Sequence, residues 1–275
     1  MNLQIKSSFK KEIMAFTRTK RFFILLCVFV GFAVFDPVML RAMGAILVTL
    51  GEIDIMADAL EQMTSSAMNG VSSLVGDLTL SGLIIYLLLI NSFAGGEQKK
   101  RSIIIPRTSG LRSKAYITPK FIVYPIAAFA LCLLAVLVAA AVSTAIFVEK
   151  DIIMPQILAA GALLGMNLAM FTSFHLCIGT ATGKAGLSAA ICIGAAIIIP
   201  GIFSVLSMGI DGNLMAYNPF GLAAMANEAV FKMPNMGEML ATILIAIGLM
   251  VACFFLALFA QNAQKIDNKG NEILI

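Results

Sequence analysis

Histidine occurs once in this 275-residue chain, and Asp, Glu, Lys and Arg together supply only 12% of it. Soluble domains carry about 25% charged residues, so that scarcity excludes an ordinary water-soluble fold. A lone histidine is also a poor start for a metal centre. His175 has Thr172 and Ser173 for neighbours, and neither is a usual zinc ligand; it reads as a packed structural residue. The five cysteines, Cys27, Cys132, Cys177, Cys192 and Cys253, fall in apolar stretches without CxxC spacing, which predicts buried thiols rather than disulfides or metal ligands. A nucleotide-binding loop is missing as well. Gly179 and Gly183 have three residues between them where a phosphate cradle needs four, and Ala185 follows Lys184 in place of Ser or Thr. That stretch reads as a tight turn. No Ser/His, paired-Asp or His-rich grouping lies within the apolar runs, so an intramembrane enzyme is disfavoured and no cofactor is expected.

What the chain does have is six long apolar runs, at 22–39, 77–95, 121–148, 152–178, 185–208 and 239–260. Each approaches the ~20 residues a helix needs to cross a bilayer. Backbone groups in hydrocarbon must bond within their own segment or in a closed barrel, and a barrel would alternate polar and apolar residues over strands of about ten. These runs are continuously apolar, which predicts an all-α integral membrane protein with six transmembrane helices. The 22–39 run is followed by Asp36-Pro37 without a small-residue cleavage site, so it reads as a retained first span and not a signal peptide.

Charge sets the threading. With the N-terminus in the cytoplasm, sixteen of the nineteen Lys and Arg residues fall on the cytoplasmic side and eleven of the fifteen acids on the other. This is the positive-inside pattern, and it predicts that both termini are cytoplasmic. The net charge of +4 follows from threading and carries no implication of nucleic acid. Residues 1–21 form the first unit. Ile5, Phe9, Ile13 and Phe16 recur at helical spacing among Lys6, Lys10, Lys11 and Arg18, as in an amphipathic helix lying in the membrane interface; a solvated basic tail is the alternative. Residues 22–262 form the membrane unit and 263–275 a cytoplasmic tail.

Within the membrane unit, Pro37 predicts a kink or an end to the first span. The stretch 40–76, with Asp54, Asp58 and Glu61 on one helical face, reads as amphipathic helices against the outer surface. The third run is the longest and is expected to tilt. Gly161 and Gly165 form a small-xxx-small pattern that permits close helix approach. The outer segment 209–238, with Asn218-Pro219, Gly221 and Pro234, predicts short re-entrant or surface helices. Asp36 and Asp77 fall near the outer mouth and no charge falls at the middle of a run, so the relay expected of an ion-coupled carrier is missing.

The most informative stretch is the cytoplasmic loop 95–120. It mixes the cations Lys99, Lys100, Arg101, Arg107, Arg112, Lys114 and Lys120 with Ile103, Ile104, Ile105, Leu111 and Tyr116. A solvated positive-inside loop explains the charge alone. Apolar residues beside cations suit a short helix docked into a partner's groove. In these residues the chain resembles the permease subunits of ABC-2 type exporters. That family's coupling segment opens with Glu, continues with Gly-Thr four and five residues on and Pro-Val-Ser-Arg from thirteen, and has Lys at twenty-three. Glu97 and Lys120 stand at that separation, Ser102 takes the Thr place and Tyr116 a usual Phe place. Arg101 replaces the Gly, Gly110 the Pro, and Ser113 the Arg, between Arg112 and Lys114.

The resemblance implies an interfacial N-terminal helix, six spans and re-entrant helices between the fifth and sixth. It also implies a second permease (a like copy or a paralogue), a separate cytoplasmic ATPase subunit pushing on 97–113, and a path formed by spans one, two and five. Glu97, Lys100 and Arg101 would dock the ATPase, with Ile103, Ile104 and Ile105 buried in its groove. The apolar spans favour a lipid, a hydrophobic drug or an antimicrobial-type peptide as cargo of an exporter in the plasma membrane. An ion-coupled carrier and a non-transporting scaffold are the rival classes.

Overall fold

A computed structural model describes residues 2–50, 65–96, 112–209, 218–266 and 272–274. Helix α1 (Asn2–Thr17) precedes α2 (Lys20–Leu50); α3 (Ala67–Asp77) and α4 (Leu83–Asn91) are joined by a π turn at Leu78–Gly82 and followed by another at Ser92–Gly96. Then come α5 (Ser113–Ile146), α6 (Met154–Thr182), α7 (Ala185–Gly209), α8 (Leu222–Phe231) and α9 (Met236–Ala263). Among the described residues, six stretches are long and apolar enough to cross a membrane: Lys20–Gly44, Ala67–Gly95, Ser113–Ile146, Met154–Thr182, Ala185–Phe203 and Met236–Ala263. The protein is a multi-pass helical membrane protein, and these stretches are called spans one to six.

Span four is the hub. In it 72% of the most apolar stretch is buried inside the protein, against 17% in spans five and six. Gly161 and Gly165 explain much of that. A Cβ on Gly165 would sit 2.9 Å from the Phe129 ring and 3.0 Å from the Phe129 carbonyl oxygen, and one on Gly161 would sit 3.0 Å from Leu133. Spans three and four therefore cross almost backbone to backbone, the use expected of this spacing.

Several boundaries differ from the sequence expectation. Pro37 neither ends nor breaks the first helix, which continues to Leu50. In hydrocarbon a backbone released from the helix has no other partner, so the helix tolerates one missing N–H. Residues 40–50 continue α2, with span one ending at Gly44, and 67–76 form the first turns of span two; Asp54, Asp58 and Glu61 lie outside the described residues. The polar residues of 67–76 are accommodated because they find partners. Ser72 Oγ donates to Asn227 Oδ1 of α8 at 2.6 Å, while Gly70, Val71, Leu74 and Val75 face the core. Asp151, in the turn between spans three and four, accepts from Ser66 Oγ at 2.5 Å and from the Met68 N–H at 3.3 Å. A carboxylate there complements the positive end of the helix.

These longer helices also move Asp36 and Asp77 from a mouth to the interior of spans one and two. Their carboxyls are close enough to interact through their charges. Asp36 is buried, and its Oδ2 has no partner among the described residues.

Between spans five and six, a 3-10 turn at Pro219–Gly221 leads into α8, which buries Leu222, Met225, Ala226, Ala229 and Val230 on one face against span four. Short helices were expected here. Among the described residues the elements of the membrane unit are all helical, and in the C-terminal tail Gln264–Ile266 pairs antiparallel with Glu272–Leu274. Cys132, Cys192 and Cys253 are buried as expected, but Cys27 is exposed and Cys177 only half-buried.

Candidate functional site

The chemistry-bearing residues gather at the end of span two that lies on the same side as the chain termini. Span two ends in the π turn Ser92–Gly96, and a widened turn of this kind often marks a functional position. Gly95 packs directly on Gly179 of span four. A Cβ on Gly95 would lie 2.6 Å from the Gly179 carbonyl oxygen, and one on Gly179 would lie 2.6 Å from that of Ala94. Only glycine on both helices allows this approach.

Two cations grip the same end. Lys120, on the second turn of span three, is 3% exposed and donates through Nζ to the Phe93 carbonyl at 2.9 Å and to the Tyr116 hydroxyl at 3.0 Å. Its ammonium also stands 4.4 Å from the centre of the Tyr116 ring. Arg21, at the start of span one, donates to Ser92 Oγ and to the Leu89 carbonyl, with its guanidinium 5.3 Å from the Phe93 ring centre. Carbonyls at a helix C-terminal end carry partial negative charge and lack intrahelical donors, so cations satisfy them.

The layer beneath ties in α1. Phe93 stacks on Tyr124 with ring centres 4.9 Å apart, and Phe16 meets Tyr124 edge-on at 5.7 Å. Tyr124 donates through its hydroxyl to Glu12 Oε2 at 2.8 Å, while its carbonyl accepts from the Tyr86 hydroxyl at 2.6 Å. Glu12 is nearly fully buried, so α1 is pinned to span three by a charge-assisted bond rather than held by apolar contact alone. Of the four apolar residues expected to form one face of α1, only Phe16 is buried, and Ile13 is exposed.

Of the residues singled out in the 95–120 loop, Glu97, Lys100, Arg101, Ile103, Ile104, Ile105 and Arg107 lie outside the described residues. The loop itself is shorter than expected, because Gly95 and Gly96 finish span two and Ser113 onward is span three. Arg112 stands at the cap of that helix, where its carbonyl accepts from the Ala115 and Tyr116 N–H groups at 2.9 and 3.2 Å. Arg112 and Lys114 are exposed. Lys120 differs from the expectation. An ammonium turned inward onto Phe93 holds the base of the segment instead of presenting a charge to a partner. Sequence reasoning passed over Glu12, Arg21, Gly95 and Tyr124, whose roles depend on partners far away in the chain. The only local hint was an acid, Glu12, beside a helical face otherwise apolar or basic.

His175 packs next to this assembly. The Ser188 hydroxyl donates to the His175 carbonyl at 2.6 Å, and its oxygen also lies 2.6 Å from His175 Nδ1; with the hydroxyl hydrogen so used, this second bond requires Nδ1 as donor. Its Nε2 is buried without a partner among the described residues. Among those residues no three His, Cys, Asp or Glu side chains gather to hold a metal. Residues 97–111 connect two helix ends that the Lys120–Phe93 bond ties together. Gly179–Thr182, expected in a tight turn, instead continue the span-four helix, and the chain turns only at Gly183, whose φ of 64° lies in the left-handed region. Compared with the known protein families and with curated proteins, the chain matches no family model and no curated protein.

Proposed function

We propose that the chain is the permease subunit of an ABC-2 type exporter in the plasma membrane, with both termini cytoplasmic. It pairs with a second copy or a paralogue and is driven by a separate ATPase subunit. One observation carries this reading: the segment 97–111 is anchored at both ends. Gly95 lies on Gly179, and Lys120 reaches back from span three to the Phe93 carbonyl of span two. A lever needs a rigid base, and a solvated loop does not. Glu97, Lys100 and Arg101 are the docking groups, with Ile103, Ile104 and Ile105 buried in the ATPase groove. The charge distribution supports the cytoplasmic placement.

Two cavities along the seam of spans two and five support a path there. One of about 420 Å³ is lined by residues including Thr79, Leu80, Ile197 and Asn227, and one of about 360 Å³ by Arg21, Leu88, Ser92 and Ala185. The first lining is mainly apolar and the second mixes polar and apolar groups about equally, which suits a lipid, a hydrophobic drug or an antimicrobial-type peptide. Glu97→Lys should leave the protein folded and bound in the membrane but abolish export driven by ATP. Undiminished export by that variant would remove the docking assignment.

The Asp36–Asp77 pair favours a second reading, an ion-coupled carrier. Facing carboxyls inside membrane helices are unusual and are commonly found on ion pathways. The two readings part in proteoliposomes holding this chain without any ATPase. The exporter predicts no uptake under an imposed proton or sodium gradient; the carrier predicts uptake that Asp36→Asn eliminates.

A further inference from the structure

A groove on the far side of the bundle from the seam of spans two and five runs between spans three, four and six. It has a volume of about 370 Å³, in the range of small-ligand sites. Thr118, Phe121 and Ile122 contribute from span three, Met166 and Ser173 from span four, and Ile247, Met250, Val251 and Phe254 from span six. The residues 247, 250, 251 and 254 form one helical stripe, as do 118, 121 and 122. The floor is closed: Ser173 is 1% exposed, whereas Ile122, Ile247 and Val251 at the rim are 40%, 41% and 48% exposed. The groove therefore opens sideways, toward the membrane.

Its lining offers no free hydroxyl donor to a polar ligand. Thr118 Oγ1 donates to the Lys114 carbonyl at 2.7 Å, and Ser173 Oγ to the Ala169 carbonyl at 3.0 Å. At 1.5 Å per residue, it extends from about 7 Å above the start of span three to about 24 Å above the end of span four. That is roughly the depth of one leaflet's hydrocarbon. One turn below Thr118, on the same stripe, stands the exposed Lys114. Helical side chains point toward the helix N-terminus, so the Lys114 ammonium projects out of the groove's mouth toward the head-group level.

We propose that this groove is a binding site for an anionic phospholipid of the leaflet on the side of the termini. One acyl chain lies along the stripe of spans three and six, and the head-group phosphate meets Lys114. The occupant is chosen by charge as well as shape: an apolar slot of leaflet depth with a cation at its head-group end matches a lipid of that charge. The site is independent of what the protein transports.

The test uses the full chain, delipidated in detergent and titrated with dioleoylphosphatidylglycerol or dioleoylphosphatidylcholine, with bound lipids counted by native mass spectrometry. The wild type should bind one phosphatidylglycerol about fivefold more tightly than phosphatidylcholine, the preference expected of one cation at the surface. Lys114→Ala should erase that preference, Lys114→Arg should keep it, and Lys150→Ala, on the opposite side, should not alter it. Val251→Trp, which fills the rim from an exposed position, should abolish tight binding of both lipids. Equal affinity of the wild type for the two lipids, or a preference surviving Lys114→Ala, overturns the head-group assignment. Tight binding that survives Val251→Trp places the lipid elsewhere and overturns the groove.

Discussion

Gly179→Val should be the most damaging single substitution at the anchored end of span two. The first added carbon already meets the Ala94 backbone. The first carbon alone would stand 2.6 Å from the Ala94 carbonyl oxygen and 2.8 Å from the Ala94 carbonyl carbon. Neither atom can rotate away, so spans two and four must part. Overpacking typically costs about 1–3 kcal/mol, and a backbone obstacle belongs at the upper end. The melting temperature should fall by roughly 10 °C, at about 2–4 °C per kcal/mol for a large domain. A thiol-reactive dye reads this directly, because unfolding exposes Cys132, Cys192 and Cys253. Gly194→Ala is the control: nothing lies within 4 Å of its added carbon. Alanine there should be neutral or stabilise by up to ~1 kcal/mol through helix propensity. Equal melting of the two variants would mean that Gly179 and Gly95 do not lock the spans together.

Lys120→Met should be the second most damaging. Methionine nearly fills the volume of the stem but leaves the Phe93 carbonyl and the Tyr116 hydroxyl without their buried donor. A hydrogen bond from a charged group contributes about 1.5–3 kcal/mol, and an abandoned buried acceptor costs about as much. Lys114→Met, one and a half turns away and exposed, should stay within about 0.5 kcal/mol of the wild type. If the exporter reading is right, Lys120→Met should also weaken coupling while Lys114→Met does not, since of these two lysines Lys120 is the one that bonds to span two. A Lys120→Met protein as stable as Lys114→Met would show that the ammonium does not clamp the segment.

Arg21 and Lys120 show why half of this site was legible and half was not. Both were visible in the sequence as members of a positive-inside population, and that placement depends only on counting charges in loops. Their targets, the carbonyls of Leu89 and Phe93, are backbone atoms that every residue carries, so no side-chain pattern announces them. Glu12 was likewise readable as a residue but not as a partner of Tyr124, 112 positions away. Gly161 and Gly165 were legible because their spacing repeats along one helix; Gly95 and Gly179 were not, because they belong to different helices.

Hydrophobic run length settled that the chain crosses a membrane and how many times, because hydrocarbon thickness fixes helix length and forbids unpaired backbone. Composition also ruled out a soluble enzyme. Where helices begin and end depended on tertiary partners. Span two starts at Ala67 because Asp151 caps it and Asn227 receives Ser72, and α2 passes Pro37 because its backbone has no better partner. Contacts between distant helices alone decided that Asp36 meets Asp77, that Lys120 turns inward, and that an apolar groove opens above Lys114. A one-dimensional pattern records which residues can enter a membrane. Which of them touch is set by the packing of six helices against one another.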